Sequence, residues 1–184
     1  MIKTFTFVEP SLRTDKTSAV YCGSFGRYEY VQNRAPEFQA TADHGDLFLS
    51  TGPNERPVLS GRLEGSSNRR LTIVGQGTSV TGEYTGSEEN LEFSDSSGYK
   101  YIWKQSTFSS KLDLEDAGGN KIAKFRHVFM STRVQGHLEL QRDVDYTLLC
   151  IILLTCKLEL YRQSKDLTDF VKEDVSDFVE DALE

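Results

Sequence analysis

Residues Asp143–Gln163 read "DVDYTLLCIILLTCKLELYRQ", and they hold the most apolar run of an otherwise polar chain of 184 residues. From Tyr146 to Cys156 eleven largely apolar residues follow one another. As a helix this run extends only about 16 Å, against a bilayer hydrocarbon core of roughly 30 Å. Lengthening it to Tyr161 brings in Lys157 and Glu159, and each charge near a bilayer centre costs about 2.5–3.5 kcal/mol. The sequence therefore carries no transmembrane segment. A helix that is apolar on every side and does not cross a membrane has to be enclosed by protein. The expectation is a buried central helix near 144–158, with Asp143 as its N-cap and Asp145 in the first turn, where the macrodipole favours carboxylates. The following "KLELYR", Lys157–Arg162, alternates with period two and also admits a short strand.

Upstream of Asp143 the pattern changes to short alternating runs separated by turn residues. The runs are "KTFTFVE", "SAVYCGS", "RYEYVQN", "DLFLST", "PVLSGRLEG", "RRLTIVGQG", "TGEYTG", "NLEFSD", "YKYIWKQ", "SKLDLED", "KIAKFRH" and "GHLELQR". The joints "STGPNERP", "EGSSNRR", "SDSSGY" and "DAGGNK" are turn chemistry, with Gly and Asn supplying positive φ. Many evenly spaced strands predict a barrel or sandwich. With the enclosed helix, the predicted fold is mainly β: an antiparallel barrel of about twelve strands closed around one hydrophobic C-terminal helix, residues 1–163, followed by a short acidic amphipathic helix over 164–184.

The order of these elements carries a resemblance. Many strands, then the tryptophan of "YKYIWK", then "LDLEDAGGNKIAKFR", then "GHLELQRDVDYTLLCIILLTCKLELYR" resembles the superfamily of tubby C-terminal, LURP-one-related and phospholipid scramblase-like domains, and most closely a fungal branch of that fold. The similarity is strongest over Tyr99–Arg162 and does not reach Ser164–Glu184. It implies the barrel with a central helix, and raises binding of phosphoinositides through basic barrel residues. None of the matching motifs is catalytic, and fold alone does not assign function.

Charge is unevenly placed. The net charge is −7 and the pI about 5.1, which speaks against nucleic-acid binding, since that needs an electropositive surface. Ser164–Glu184 holds eight acidic and two basic residues, leaving the rest of the chain nearly neutral. Tyr99–Arg142 has eight basic residues against four acids. Within it Lys100 and Lys104 share a strand face, as do Lys124 and Arg126. Lys100, Lys104, Lys121, Lys124 and Arg126 form the candidate ligand site, because Lys and Arg supply charge-assisted hydrogen bonds to an anionic phospholipid headgroup. In the tail, Leu167, Phe170, Val171, Val175, Phe178, Val179 and Leu183 fall on one helical stripe, the candidate surface for a protein partner by the helix-in-groove mode.

Catalytic and cofactor chemistry finds little footing. "GSFG" and "GTSVTG" lack the strand-turn-helix context of a nucleophile elbow, and "GQG" at Gly75–Gly77 precedes no helix that would hold phosphate. "DHGD", Asp43–Asp46, reads as a polar turn before it reads as a metal site. His127 and His137 have no acidic or thiol neighbours at ligand spacing. Cys150 and Cys156 point about 240° apart around a helix and form no ligand pair. Asp113 and Glu115 share a strand face but read as a half-exposed strand. With Cys22 the three cysteines cannot all pair, and the N-terminus lacks the apolar core of a secretory signal. The sequence thus predicts a cytoplasmic, non-catalytic binding module without metal or cofactor, or a regulatory interaction protein whose acidic tail docks on a partner. It carries no sign of oligomeric state.

Overall fold

The computed structural model describes the backbone of residues 2–9, 16–24, 34–52, 55–64, 69–86, 90–105, 111–128 and 133–180, and side chains as far as residue 164. Twelve strands precede one helix: β1 Thr4–Val8, β2 Thr17–Cys22, β3 Phe38–Asp43, β4 Asp46–Ser50, β5 Leu59–Glu64, β6 Arg70–Gly75, β7 Thr78–Thr85, β8 Asn90–Ser94, β9 Lys100–Gln105, β10 Lys111–Asp116, β11 Lys121–His127, β12 Val134–Leu140 and α1 Tyr146–Glu180. Each strand pairs antiparallel with its sequence neighbours, and β1 closes on β12, so the sheet is a complete barrel without edges. Eleven of the twelve alternating runs lie on strands. "RYEYVQN" lies outside the described residues, and β3, "FQATAD", is a strand that the alternation did not flag.

Two hairpins show why the turns fall where they do. His44 and Gly45 between β3 and β4, and Gln76 and Gly77 between β6 and β7, all have positive φ, the backbone of a two-residue turn whose twist matches that of the strands it joins. "DHGD" is therefore a hairpin, with the His44 ring bonded to Asp43 and Lys16 bound to Asp43 at 2.9 Å. "GQG" turns a strand into a strand.

Twelve tilted strands close at a backbone radius of about 12 Å, room for a helix 10–12 Å across plus one layer of side chains. That is what fills it. Cys150 to Tyr161 are twelve consecutive buried residues, Lys157 and Glu159 included. "KLELYR" is therefore helical and enclosed, and its period-two alternation misleads because every helix face is covered. The helix backbone comes closest to β3, β4 and β5, where Ala40, Ala42 and Gly61 leave room for it. Larger side chains, Phe7, Tyr84, Phe93, Trp103 and Phe125, line the rest of the wall and complete the core.

Specific bonds set the helix in height and rotation. Trp103 Nε1 donates to Thr155 Oγ1 at 2.9 Å, and that hydroxyl donates to Ile151 O at 2.8 Å. Tyr84 O–H donates to Glu159 Oε1 at 2.7 Å, and the Arg162 guanidinium lies 3.6 Å from the Tyr84 ring centroid. Burial, reinforced by the Glu159 charge, pushes the Tyr84 hydroxyl well above its ordinary range, so it stays a donor. At the start of the helix Leu148 N–H donates to Asp145 Oδ1 at 2.8 Å. Asp145 is thus the N-cap in place of Asp143, since its side chain reaches the third helical amide. The helix runs from Tyr146 to Glu180.

The seam between β1 and β12 holds a titratable group. Thr6 Oγ1 donates to Gly23 O at 2.6 Å and accepts from His137 Nδ1 at 2.9 Å. Burial, only partly opposed by Glu139, lowers the pKa of His137 below its ordinary 6.5. Below that value the unfolded chain binds a proton that the folded chain resists, so stability falls as pH drops. Urea unfolding midpoints should therefore decline from pH 7 to pH 5, and the decline should be shallower in His137→Gln. An unchanged slope in that variant would remove His137 from the account.

Candidate functional site

Because the helix and its enclosing side chains occupy the barrel axis, a ligand has to meet the outer wall or a rim. The wall is charged. The apolar band of a lipid-facing barrel is not what Arg62, Arg70, Glu83, Glu92, Lys104 and Lys124 present. Among the described residues no helix is long and apolar enough to cross a membrane.

The five predicted basic residues all lie on this wall, but the register separates them. One row across the strands runs Lys104, Asp113, Lys124, Glu139, so cations and carboxylates alternate. Lys104 Nζ is 2.6 Å from Glu115 Oε2, and Lys121 Nζ is 2.6 Å from Asp113 Oδ2. The Asp113 carboxylate holds the Lys121 ammonium above its usual range. Lys104, Lys121 and Lys124 are thus largely offset by acids. Arg126 sits elsewhere, directly opposite Lys111. Lys100 stands apart at the start of β9 beside Ser94 and makes no ion pair among the described residues.

Lys100 and Lys104 border a cleft of about 760 Å³ over the outer face of β6 to β10. Its floor is two cross-strand rows. One runs Thr72, Thr81, Ser94, Lys100; the other runs Arg70, Glu83, Glu92, Ile102, Glu115. The β10–β11 turn, with Ala117 and Gly119, forms one wall. There Asp116 accepts from the Asn120 backbone and side chain and from Gly118 N, bonds that hold its carboxyl below the usual carboxylate range.

Gly82 lies in the floor of the cleft. It sits mid-strand on the inward side, opposite Phe93, and a Cβ there would lie 2.5 Å from Glu92 O and 2.7 Å from Phe93 Cβ. With no side chain at Gly82, β8 packs close against β7 beneath the cleft floor. Arg70, Thr81, Glu83, Glu92 and Ser94 were not among the expected site residues. Their convergence depends on register, and its one local sign is a glycine inside the strand run "TGEYTG".

No family model matches this chain. No curated protein and no solved structure matches it either. What the molecule offers a ligand is therefore read from its own wall. The side chains of the tail stripe, Leu167, Phe170, Val171, Val175, Phe178, Val179 and Leu183, lie outside the described residues.

Proposed function

We propose that this chain is a non-catalytic, cytoplasmic binding module of the tubby-like and scramblase-like type, which docks a segment of a protein partner in the cleft over β6 to β10. One observation carries the reading: the barrel axis is filled, while the outer wall holds a 760 Å³ depression, within the range of sites that take ligands. Its lining favours a polypeptide over an inositol-phosphate headgroup. Three cations, Arg70, Lys100 and Lys104, face four carboxylates, Glu83, Glu92, Glu115 and Asp116, so there is no cationic surplus to hold phosphate. Binding rather than catalysis fits because Glu83, Glu92, Lys100 and Lys104 are exposed, whereas acid–base chemistry draws on groups withdrawn from water.

A second reading, a phosphorylated lipid headgroup, is supported by Lys111 and Arg126, cations directly opposite one another with no carboxylate in their register pairs. Peptide display on the full chain separates the two. Peptides enriched on the wild type should bind at least about tenfold more weakly to Thr81→Trp, whose indole would fill the cleft. Equal recovery on both proteins would sink the cleft reading. Vesicle binding abolished by Arg126→Glu and untouched by Thr81→Trp would favour the headgroup.

A further inference from the structure

Opposite charges face each other over most of the outer wall: Asp46 with Arg62, Glu64 with Arg70, Arg70 with Glu83, Glu115 with Lys121, and the Lys104, Asp113, Lys124, Glu139 row. Like charges directly opposite on a sheet are destabilising, so the exceptions are informative. Asp43 and Asp46 form one, and each has its own cation, Lys16 and Arg62, at 2.9 and 3.0 Å. Lys111 and Arg126 lie outside the cleft. Among the described strand pairs the remaining exception is Glu83 opposite Glu92, in the cleft floor beside Gly82. Neither makes an ion pair among the described residues; Glu92 Oε1 accepts only from Thr85 Oγ1 at 2.8 Å.

Resting on the binding reading above, we propose that the cleft is built for a lysine or arginine side chain of a partner polypeptide, held between Glu83 and Glu92, with acidic residues beside it in the partner meeting Lys100 and Arg70. The carboxylate pair supplies two charge-assisted acceptors at one spot. Lys100 lies one row away, beside Ser94, and Arg70 flanks Glu83 on the other side. A small organic cation would use the carboxylates and leave Lys100 unmatched. A divalent metal ion wants six or more oxygens in Ca²⁺ coordination or a near-ideal octahedron as Mg²⁺, while Glu115 and Asp116 are already engaged by Lys104 and Arg142. The cleft crosses five strands, about 19 Å between the outer two, a span that suits an extended peptide of several residues.

The test uses the full chain, isotope-labelled for amide shift mapping, with three probes: an end-blocked heptapeptide with a central lysine flanked by aspartates, its charge-inverted counterpart, and spermidine. The lysine-centred peptide is expected to shift the amides of Thr81, Gly82 and Glu92 and to bind about tenfold or more tightly than the inverted peptide, from one charge-assisted bond. Glu83→Gln and Glu92→Gln should each remove that preference. Glu92→Gln should also raise the melting temperature by about 1–3 °C, because a like-charge pair is relieved. That outcome shows the variant is folded.

Binding that Thr81→Trp blocks but neither Gln variant weakens would leave the cleft as the site and overturn the basic-side-chain assignment. Spermidine binding as tightly as the peptide, with Lys100→Ala without effect, would overturn the polypeptide assignment. If neither peptide binds at millimolar concentration the proposal fails, while display-selected peptides blocked by Thr81→Trp would still uphold the module. If Thr81→Trp changes no binding at all, both fall.

Discussion

Trp103→Ala is expected to lower the unfolding free energy by about 3–5 kcal/mol, the range for deleting a large buried aromatic. Against a typical total of 5–15 kcal/mol this leaves a marginal fold. Trp103 is 1% exposed, on the wall away from the strands nearest the helix, and its ring spans much of the gap between β9 and the axis. Its loss opens a cavity that the closed sheet cannot collapse to fill. The variant also removes the donor to Thr155 Oγ1, although that hydroxyl keeps Ile151 O as acceptor. Trp103→Phe separates the two effects: it restores most of the volume without the N–H. It should recover more than half of the loss and leave a residue of about 1 kcal/mol for the missing bond. Trp103 is the single tryptophan, so unfolding is followed by far-ultraviolet circular dichroism in urea. A loss below about 1 kcal/mol for Trp103→Ala would mean that the axis is not packed as described.

The second large effect is expected at Glu159, 6% exposed within the barrel. Glu159→Leu removes the acceptor of the Tyr84 hydroxyl and the carboxylate beside Arg162. Removing one partner from a buried charged network typically costs about 3–5 kcal/mol, because what remains is left without its counter-charge. Tyr84→Phe alone deletes the hydroxyl donor to that carboxylate and should cost about 1–3 kcal/mol. Combined, the two substitutions should cost less than their sum, with a coupling of about 0.5–3 kcal/mol. Strict additivity in the double-mutant cycle would dissolve the network into independent contacts.

These two sites also show what was legible in the chain. The enclosed helix could be read directly, because eleven largely apolar residues, too few to cross a bilayer as a helix, need enclosure by protein. Lys157 and Glu159 obscured its end. Charges usually mark a solvated face, and here both are inside, with Glu159 accepting from Tyr84 on the wall. The strands were legible where large apolar residues alternate. β3 was not, because its inward residues after Phe38 are Ala40 and Ala42, weak strand formers kept small by the helix against them. Choosing between Asp143 and Asp145 as the cap needed the backbone. The surroundings of the expected basic residues were hidden for a similar reason: Lys124 meets Asp113 and Glu139 from separate strands, a pairing that sequence order does not display. The cleft was out of reach because its lining converges through strand register, which sequence order does not display.

The helix that fills the axis has a consequence for synthesis. It follows all twelve strands in the chain, and the strand that closes the sheet pairs with the first, joining His137 to Thr6 across 131 positions. A nascent chain emerging from the ribosome therefore holds every inward-facing residue of the wall before it holds anything to put against them. Closure waits for β12 and a core for the helix behind it, so the apolar strand faces stay in need of cover until that helix has been made.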